Sequence, residues 1–390
     1  MDGTGSRRLG EDERLDRLRL ARADQVGPVT FLRLLDRFGS AGAALAELPG
    51  LATPGRPSRI PSREDAAREH AAAERLGARL IAFGERDYPA PLAATADPPP
   101  VLTVLGDPRL LHGPCVAMVG ARNASVAGQR FAERMAADLG GHGFVVVSGL
   151  ARGIDSAAHA GSLETGTVAV VAGGVDVVFP PENAALYRRI AEKGAVVAEL
   201  PLGTEPKARH FPRRNRVIAG LSAGVVVVEA ALRSGSLLTA RMAFDENREV
   251  FAVPGSPLDP RCRGANDLLR RRTAHLAEHA EDVVEVLRGQ LDLRPPTRRR
   301  PPGHQPGPPA GRSTTPRHAP PDPRAPSAAS ADPGVDEAAR VVEALGPTPV
   351  TVDELVRRCQ LSAASVTSVL LELELAGRLE RHPGQRVSLL

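Results

Sequence analysis

The chain of 390 residues has few aromatic residues and few cysteines, and each shortage excludes a class of protein. It has no Trp, nine Phe and two Tyr. Its three cysteines, Cys115, Cys262 and Cys359, lie far apart and show neither a metal-ligand spacing nor the density of a disulfide framework. The sequence therefore predicts no zinc or other metal site, and it is typical of a reducing compartment.

Long apolar runs are also missing from the sequence. No segment approaches the roughly 18 consecutive apolar residues that a membrane span needs, and the amino end is charged and Gly-rich. We therefore expect a cytoplasmic protein without membrane insertion. The length and the apolar fraction of 42% together predict two or three folded domains.

Lysine is nearly absent, because Lys193 and Lys207 are the two lysines among 50 basic residues. Arginine abundance alone is therefore weak evidence of nucleic-acid binding in this chain. The formal net charge is +4, and the Pro-rich stretch at 294–333 contributes seven Arg against Asp322 and Asp332. Local clusters of charge, rather than the overall charge, must indicate the ligand.

Composition and periodicity divide the chain into four parts. A helical repeat with a tight turn at Val26-Gly27-Pro28 predicts an amino-terminal module at 1–65 that resembles a helix-hairpin-helix or SAM-like domain. A Pro- and Arg-rich disordered linker is predicted at 291–334. Three short helices and a β-hairpin predict a winged helix at 335–390.

Neither small module has a DNA-binding role fixed by its sequence. The turn of the amino-terminal module can hold a DNA phosphate through backbone N–H groups, but short helical hairpins are common. The third helix of the winged helix is rich in Ala, Ser and Thr and has no Arg or Lys before Arg378. Contact with DNA or with a protein partner therefore stays open for both modules.

The remaining part, 66–290, contains apolar strand-like runs that alternate with helical segments from 115 to 255. Continuous Val-rich strands, each followed by a helix, are typical of a parallel sheet that is buried on both faces. The pattern predicts an α/β fold, namely an extended Rossmann-like domain with a doubly wound, mostly parallel sheet. A ligand site is expected at the carboxyl ends of the strands.

The loops that follow these strands carry small residues, hydroxyls and arginines. Glycine lets a ligand approach backbone N–H groups, and a helix that begins in such a loop adds its positive dipole end. Several loops of this kind at one sheet edge predict a polyanion site. The candidate residues are Gly120, Arg122, Ser148, Gly149, Gly153, Gly173, Gly174, Arg209, Phe211, Arg213, Arg214, Asn215, Arg216, Ser234, Gly235, Ser236 and Thr239.

Nucleotide-binding motifs do not fit these loops. The first loop reads G-A-R-N-A-S rather than G-x-G-x-x-G, and no G-x-x-x-x-G-K-[ST] motif is present. Nucleotide hydrolysis is therefore not expected. A Rossmann-type enzyme or sensor that acts on a nucleotide phosphate remains an alternative, and so does a transcription regulator that uses the winged helix.

The same loops contain residues of types that can act in catalysis. Ser148, Asp155 and His159 could form a triad, but V-S-G is not the G-x-S-x-G elbow, and an i, i+4 pair on one helix is more typical of packing or a surface pair. Glu199 and Glu229 end two strands and could act as acid and base, or could orient the neighbouring arginines. We predict no catalytic residue.

Several motifs resemble the DprA/Smf family of DNA-processing proteins. They include VGAR (119–122), SGLARGIDSAAHAG (148–161), HFPRRNRVIAGLS (210–222) and VVVVEAALRSGSLLTA (225–240), within a similarity that runs through most of 79–290. The resemblance implies a homodimer that binds single-stranded DNA without sequence specificity. It also implies protection of the strand and loading of the RecA recombinase in natural transformation and homologous recombination, with no catalysis and no cofactor.

The resemblance further implies roles for the candidate residues. Arg122 would meet a phosphate, Phe211 would stack on a base, and Arg213, Arg214 and Arg216 would line the groove. Hydroxyl or backbone donors and sites of close approach would be Ser148, Gly149, Gly153, Gly173, Gly174, Ser234, Gly235, Ser236 and Thr239. Because aromatic residues are few, binding should depend mainly on phosphate contacts and weaken with salt.

Overall fold

The computed structural model describes residues 9–51, 59–291 and 333–389. The predicted linker at 291–334 lies outside these ranges apart from its first residue and its last two. Within the described ranges, every helix is too short or too polar to cross a lipid bilayer.

Four helices form the amino-terminal module: α1 (Glu11–Arg22), α2 (Pro28–Phe38), α3 (Ala41–Leu51) and α4 (Arg63–Arg75). Pro28 begins α2, where a missing backbone N–H costs nothing, and Gly39 ends it with a left-handed φ of 76°. Ser62 and Asp65 form a reciprocal capping box at the start of α4. The sequence signals at the ends of α2 and at the start of α4 therefore match the observed ends.

A nine-stranded sheet is the core of the central domain, with the order β1-β2-β6-β5-β4-β3-β7-β8-β9. All strands from β6 to β9 in this order are parallel, whereas β2 pairs antiparallel with β6 and β1 antiparallel with β2. This confirms the mostly parallel sheet. The strands are β1 (Ala78–Ala82), β2 (Val101–Gly106), β3 (Cys115–Gly120), β4 (Val145–Ser148), β5 (Thr167–Val170), β6 (Ala195–Ala198), β7 (Gly224–Val228), β8 (Glu249–Ala252) and β9 (His275–Leu276).

Helices cover both faces of this sheet, as a doubly wound fold requires. They are α5 (Ala90–Ala93), α6 (Val126–Gly141), α7 (Ile154–Ser162), α8 (Ala184–Lys193), α9 (His210–Leu221), α10 (Gly235–Asp245), α11 (Arg263–Arg270) and α12 (Ala280–Leu291). Because β3 lies between β4 and β7, the loops after β3 and β7 lead to opposite sides and leave a crevice between them.

The carboxyl-terminal domain is a winged helix with α13 (Pro333–Ala344), β10 (Val350–Thr351), α14 (Val352–Cys359), α15 (Ala363–Leu375), β11 (Leu379–His382) and β12 (Arg386–Leu389). The Ser362 side chain caps α15 by accepting a hydrogen bond from the Ser365 amide. The domain packs against α6, where Val126 is buried within the winged-helix core. An ion pair of 2.9 Å joins Arg358 Nη2 to Glu133 Oε2 at this contact.

Candidate nucleic-acid interface

Two cavities adjoin at the carboxyl ends of the parallel strands. The first, called here the strand-end cavity, has a volume of about 590 Å³ and lies between the loops after β3 and β7 and the first turns of α9. The second, called the aromatic slot, has a volume of about 230 Å³ and lies beside the loops after β4 and β5. Arg122, Ala151, Phe211 and Arg214 line both cavities. One extended ligand can therefore occupy both.

Arg122 and Phe211 form the boundary between the cavities. The guanidinium carbon of Arg122 lies 5.2 Å from the centre of the Phe211 ring, which is cation–π geometry. The Arg122 side chain is exposed and has no carboxylate partner among the described residues. Its charge is therefore available to an anion, and the aromatic ring next to it is available to a flat ligand group.

Arg214 lies below Phe211, with 6% of its side chain exposed. Its Nη1 donates to the Val170 carbonyl at 3.2 Å and lies 4.0 Å from Asp155 Oδ2. Burial lowers the pKa of Arg214 and raises that of Asp155, and the attraction within this pair opposes both shifts. Gly149 leaves room for this guanidinium, because an added Cβ would overlap Arg214 Nη1 and displace it. Arg214 is thus held in place beneath Phe211, and Asp155 partly compensates its positive charge.

Arg213 and Arg216 interact with a carboxylate instead. Glu199 Oε1 lies 3.1 Å from Arg213 Nη2 and 2.6 Å from Arg216 Nη2, and Arg216 Nε lies 3.4 Å from Asp97 Oδ2. This agrees with the option in which Glu199 orients arginines. Because residues two apart on an α-helix point about 200° apart, Arg216 faces away from the cavity that Arg214 lines. Arg216 therefore fastens α9 to its neighbours and does not line the groove as expected.

The 17 predicted site residues fall into two groups. Eleven of them line one or both cavities, namely Gly120, Arg122, Gly149, Gly173, Phe211, Arg214, Asn215, Ser234, Gly235, Ser236 and Thr239. The other six, which line neither cavity, are Ser148, Gly153, Gly174, Arg209, Arg213 and Arg216. Of these, Arg209 is exposed at the N-cap of α9, next to the strand-end cavity.

Three of the six serve the packing of the loops. The Ser148 side chain is buried and its Oγ donates to the Met118 carbonyl at 2.6 Å, so this hydroxyl is not presented to a ligand. Gly153 has a φ of 76°, and an added Cβ would overlap the Ala121 carbonyl oxygen. An added Cβ at Gly174 would lie 2.7 Å from the Pro201 carbonyl oxygen. At Gly153 and Gly174 the small residue therefore lets one protein loop pack closely against another, rather than providing space for a ligand.

The Ser148, Asp155 and His159 triad is not formed. His159 is fully buried, its Nε2 accepts a hydrogen bond from the Leu150 amide at 3.3 Å, and its Nδ1 lies 2.7 Å from Thr167 Oγ1. Burial lowers the pKa of His159 to about 3, so the ring is neutral at ordinary pH. With both ring nitrogens engaged elsewhere, His159 cannot accept a proton from Ser148.

Glu229 has a different role from Glu199. Its Oε2 accepts a hydrogen bond from the Ser125 amide at 2.8 Å, and its Oε1 accepts one from the Ser125 hydroxyl. Ser125 in turn caps α6 by accepting from the Gly128 amide at 2.9 Å. Within the described ranges Glu229 forms no ion pair with an arginine, and its bonds to Ser125 instead fix the loop on which Arg122 lies.

Sequence reasoning did not single out Phe179 or Arg152, which also line the aromatic slot. The Phe179 ring is 46% exposed, and its centre lies 6.0 Å from that of Phe211. Arg152 is exposed at the slot, in the loop after β4. The signal that could have identified Phe179 is an aromatic residue beside Pro180 and Pro181 in the loop after a buried strand.

Comparison with known proteins finds family models that match three parts of the chain. The model of the DNA recombination-mediator protein A family matches residues 79–288, and models of a DprA-like N-terminal HHH domain and a DprA winged helix domain match 11–72 and 322–385. Protein Smf of Escherichia coli is 36% identical over 317 residues, which cover 80% of this chain and 77% of Smf. The DNA processing protein DprA of Bacillus subtilis is 40% identical over 220 residues, which cover 56% of this chain and 74% of that protein.

Solved structures agree with this assignment. The X-ray structure of DNA processing protein A from Streptococcus pneumoniae is 30% identical, with a TM-score of 0.59, and the match covers 72% of this chain and 98% of that one. A structure of DNA processing protein A from Helicobacter pylori, which concerns the single-stranded DNA binding mode of that protein, is 27% identical with a TM-score of 0.51, covering 55% of this chain and 96% of that one. The family model spans more than half of the chain, and the chain therefore belongs to the DNA recombination-mediator protein A (DprA) family.

Proposed function

We propose that this protein binds single-stranded DNA without sequence specificity, through the strand-end cavity and the aromatic slot. The observation that carries this proposal is the position of Arg122 over Phe211, at the boundary that both cavities share. A cation beside an aromatic ring offers a phosphate contact and a stacking surface to neighbouring nucleotides, and every base has a face that can stack. Homology with DNA-processing proteins supports the same ligand.

Single strands fit this site better than duplex DNA. The two cavities are concave and lined largely by small residues and by the ends of strands, so they accept splayed nucleotides and present no helix to a major groove. In the winged helix, the exposed side chains described for α15 and its N-cap include no cation: they are Ser362, Ala363, Ala364, Thr367, Ser368, Leu371, Glu372 and Glu374. This surface does not favour contact with a duplex backbone.

The binding test uses fluorescence anisotropy of a labelled oligo-dT and a matched duplex with the full chain. We expect tighter binding of oligo-dT, and weaker binding by Arg122→Gln and by Phe211→Leu. The matched control is Arg109→Gln, because the Arg109 side chain is 89% exposed and follows β2 near the amino end of β6, at the opposite edge of the sheet. Tighter binding of the duplex than of oligo-dT would contradict the proposal. An equal loss of oligo-dT affinity in Arg109→Gln and Arg122→Gln would also contradict it.

We further propose that the protein acts as a homodimer that protects the strand and helps to load RecA onto it, in DNA uptake and homologous recombination. Membership of a family described as recombination mediators supports this role. The test measures RecA filament formation on oligo-dT coated with a single-strand-binding protein, together with the mass of the protein by sedimentation. We expect the wild-type protein to stimulate RecA filament formation and Arg122→Gln to stimulate it less. If the wild-type protein is a dimer and binds DNA but does not stimulate filament formation, the RecA role is refuted.

A further inference from the structure

The winged helix packs on the amino end of α6, which begins at the loop that carries Arg122. Val126, the first residue of α6, is fully buried within the apolar core of the winged helix. Arg358 on α14 reaches the same helix, where its Nη2 lies 2.9 Å from Glu133 Oε2. The contact between the two domains therefore has an apolar anchor and a charged rim, as specific interfaces do.

Arg261 connects this contact to the strand-end cavity. Its side chain lines the cavity and is 14% exposed. Its Nη1 donates to the Glu343 carbonyl and its Nη2 donates to the Leu345 carbonyl, both at 2.6 Å. These carbonyls belong to the last turn of α13 and to the residue after it, where backbone carbonyls lack partners within the helix. Arg261 thus caps the carboxyl end of a helix in another domain, an interaction that the helix dipole favours.

The other donors of Arg261 are occupied by an acid on its own loop. Asp259 Oδ1 accepts from Arg261 Nε at 3.0 Å, and Asp259 Oδ2 accepts from Arg261 Nη2 at 2.8 Å. Each of the three guanidinium nitrogens therefore donates to a protein oxygen, and the negative end of the α13 dipole lies beside a wall of the strand-end cavity. While the winged helix stays in place, Arg261 is withheld from an anion in that cavity.

Release of the winged helix would reverse this arrangement. The two α13 carbonyls would leave Arg261, so that Nη1 and one N–H of Nη2 become available, and the negative dipole end would leave the cavity wall. Asp259 would still accept from Nε and Nη2 and hold the guanidinium at the wall. The freed N–H groups can then donate to a phosphate.

We propose that the docked winged helix is an autoinhibitory element of strand binding, because its docking and a phosphate contact at Arg261 exclude each other. A bound single strand therefore favours release of the winged helix, and release strengthens binding of the strand by the same factor. This inference rests on the proposed function, since it concerns how binding of the single strand is regulated. Arg261 belongs to both interactions and is the residue at which they compete.

Hydrogen exchange of the full wild-type chain tests this competition without a variant. Saturating oligo-dT should increase exchange in α13 and α14, which face the central domain when the winged helix is docked. The control is α3, whose buried residues belong to the separate core of the amino-terminal module, and its exchange should not change. Unchanged or slower exchange in α13 and α14 would overturn the proposal.

Two neighbouring arginines supply a matched pair of variants. Arg358→Gln removes the ion pair with Glu133, whereas Arg357 is 73% exposed and pairs with Glu354 on its own helix. Both variants change the net charge equally. Anisotropy should show that Arg358→Gln binds oligo-dT up to about 5-fold more tightly than the wild type, since one partly exposed ion pair is lost, and that Arg357→Gln does not.

Val126→Gln releases the winged helix more completely and keeps the charge constant. We expect it to tighten oligo-dT binding about 5- to 150-fold, the usual range of coupling between two sites. Adding Arg261→Gln to Val126→Gln should make the slope of log K against log salt shallower by about 0.7, because one phosphate contact is lost.

Three results would separate the possible failures. Wild-type or weaker affinity in both Val126→Gln and Arg358→Gln would overturn the autoinhibitory role and leave single-strand binding intact. Equal slopes in Val126→Gln with and without Arg261→Gln would overturn the role of Arg261. No binding of oligo-dT by the wild-type protein or by Val126→Gln would instead overturn the proposed function itself.

Discussion

The salt dependence of DNA binding follows from the cations around the two cavities. Arg122 and Arg152 line the cavities, and Lys207 and Arg209 are next in sequence to lining residues; all four are exposed and form no ion pair with any described residue. If these cations neutralise about four phosphates, the slope of log K against log salt is about −0.7 × 4, or roughly −3, for a single strand. Affinity for oligo-dT should then fall about 50-fold between roughly 50 and 200 mM salt.

Removing one of these cations should change the slope by a defined amount. Arg122→Gln is expected to make the slope shallower by about 0.7, because one fewer counterion is released on binding. The assay is anisotropy of labelled oligo-dT at four or more salt concentrations, with Arg109→Gln as the control for a general change in charge. A wild-type slope near zero, or the same change of slope in Arg109→Gln, would refute the assignment of phosphate contacts to the cavities.

Three further predictions concern stability. Gly149→Ala should lower the free energy of unfolding by about 1–3 kcal/mol and weaken oligo-dT binding, because the added Cβ displaces Arg214. Urea unfolding measures the change in stability, and anisotropy of labelled oligo-dT measures the change in affinity. Burial lowers the pKa of His159 from 6.5 to about 3, so between these pH values the unfolded state binds a proton that the folded state does not. The free energy of unfolding should therefore fall by up to about 1.4 kcal/mol per pH unit below about pH 6.5. This slope should be smaller in His159→Gln, and equal slopes in the two proteins would contradict the prediction. Glu133→Lys should place a second cation beside Arg358 and increase hydrogen exchange at the α6 contact with the winged helix, while unchanged exchange would argue against this docking.

The parallel part of the fold could be predicted because its signals are local. Val-rich runs buried on both faces mark the strands, and capping residues such as Ser125 and Ser362 mark where helices begin. The antiparallel pairing of β1 and β2 was not predicted from the sequence. It depends on which edge of the sheet these strands join, and that edge is formed by β6, about 90 residues later in the chain.

The two cavities lie at the carboxyl ends of the strands, where the sequence predicted a site, but the direction of individual side chains was less accessible. The expectation that Arg216 lines the groove took no account of helix phase, and its partners Glu199 and Asp97 come from other segments of the chain. The burial of Ser148 depends on the carbonyl of Met118 in the neighbouring strand. The loop after β5 places Phe179 in the slot, and its position beside Pro180 and Pro181 is the one local signal for it; its contact with Phe211 joins two separate segments of the chain, so local sequence does not specify that contact.

Mapping the contacts of a bound strand tests the central claim most directly. An oligo-dT that carries a photoactivatable thymine is cross-linked to the full chain, and the modified peptides are identified by mass spectrometry. We predict adducts in the peptides that contain Phe179, Phe211 and Arg122, which line the two cavities. Adducts confined to α15 or to the amino-terminal helices, with none at the strand ends, would contradict the account.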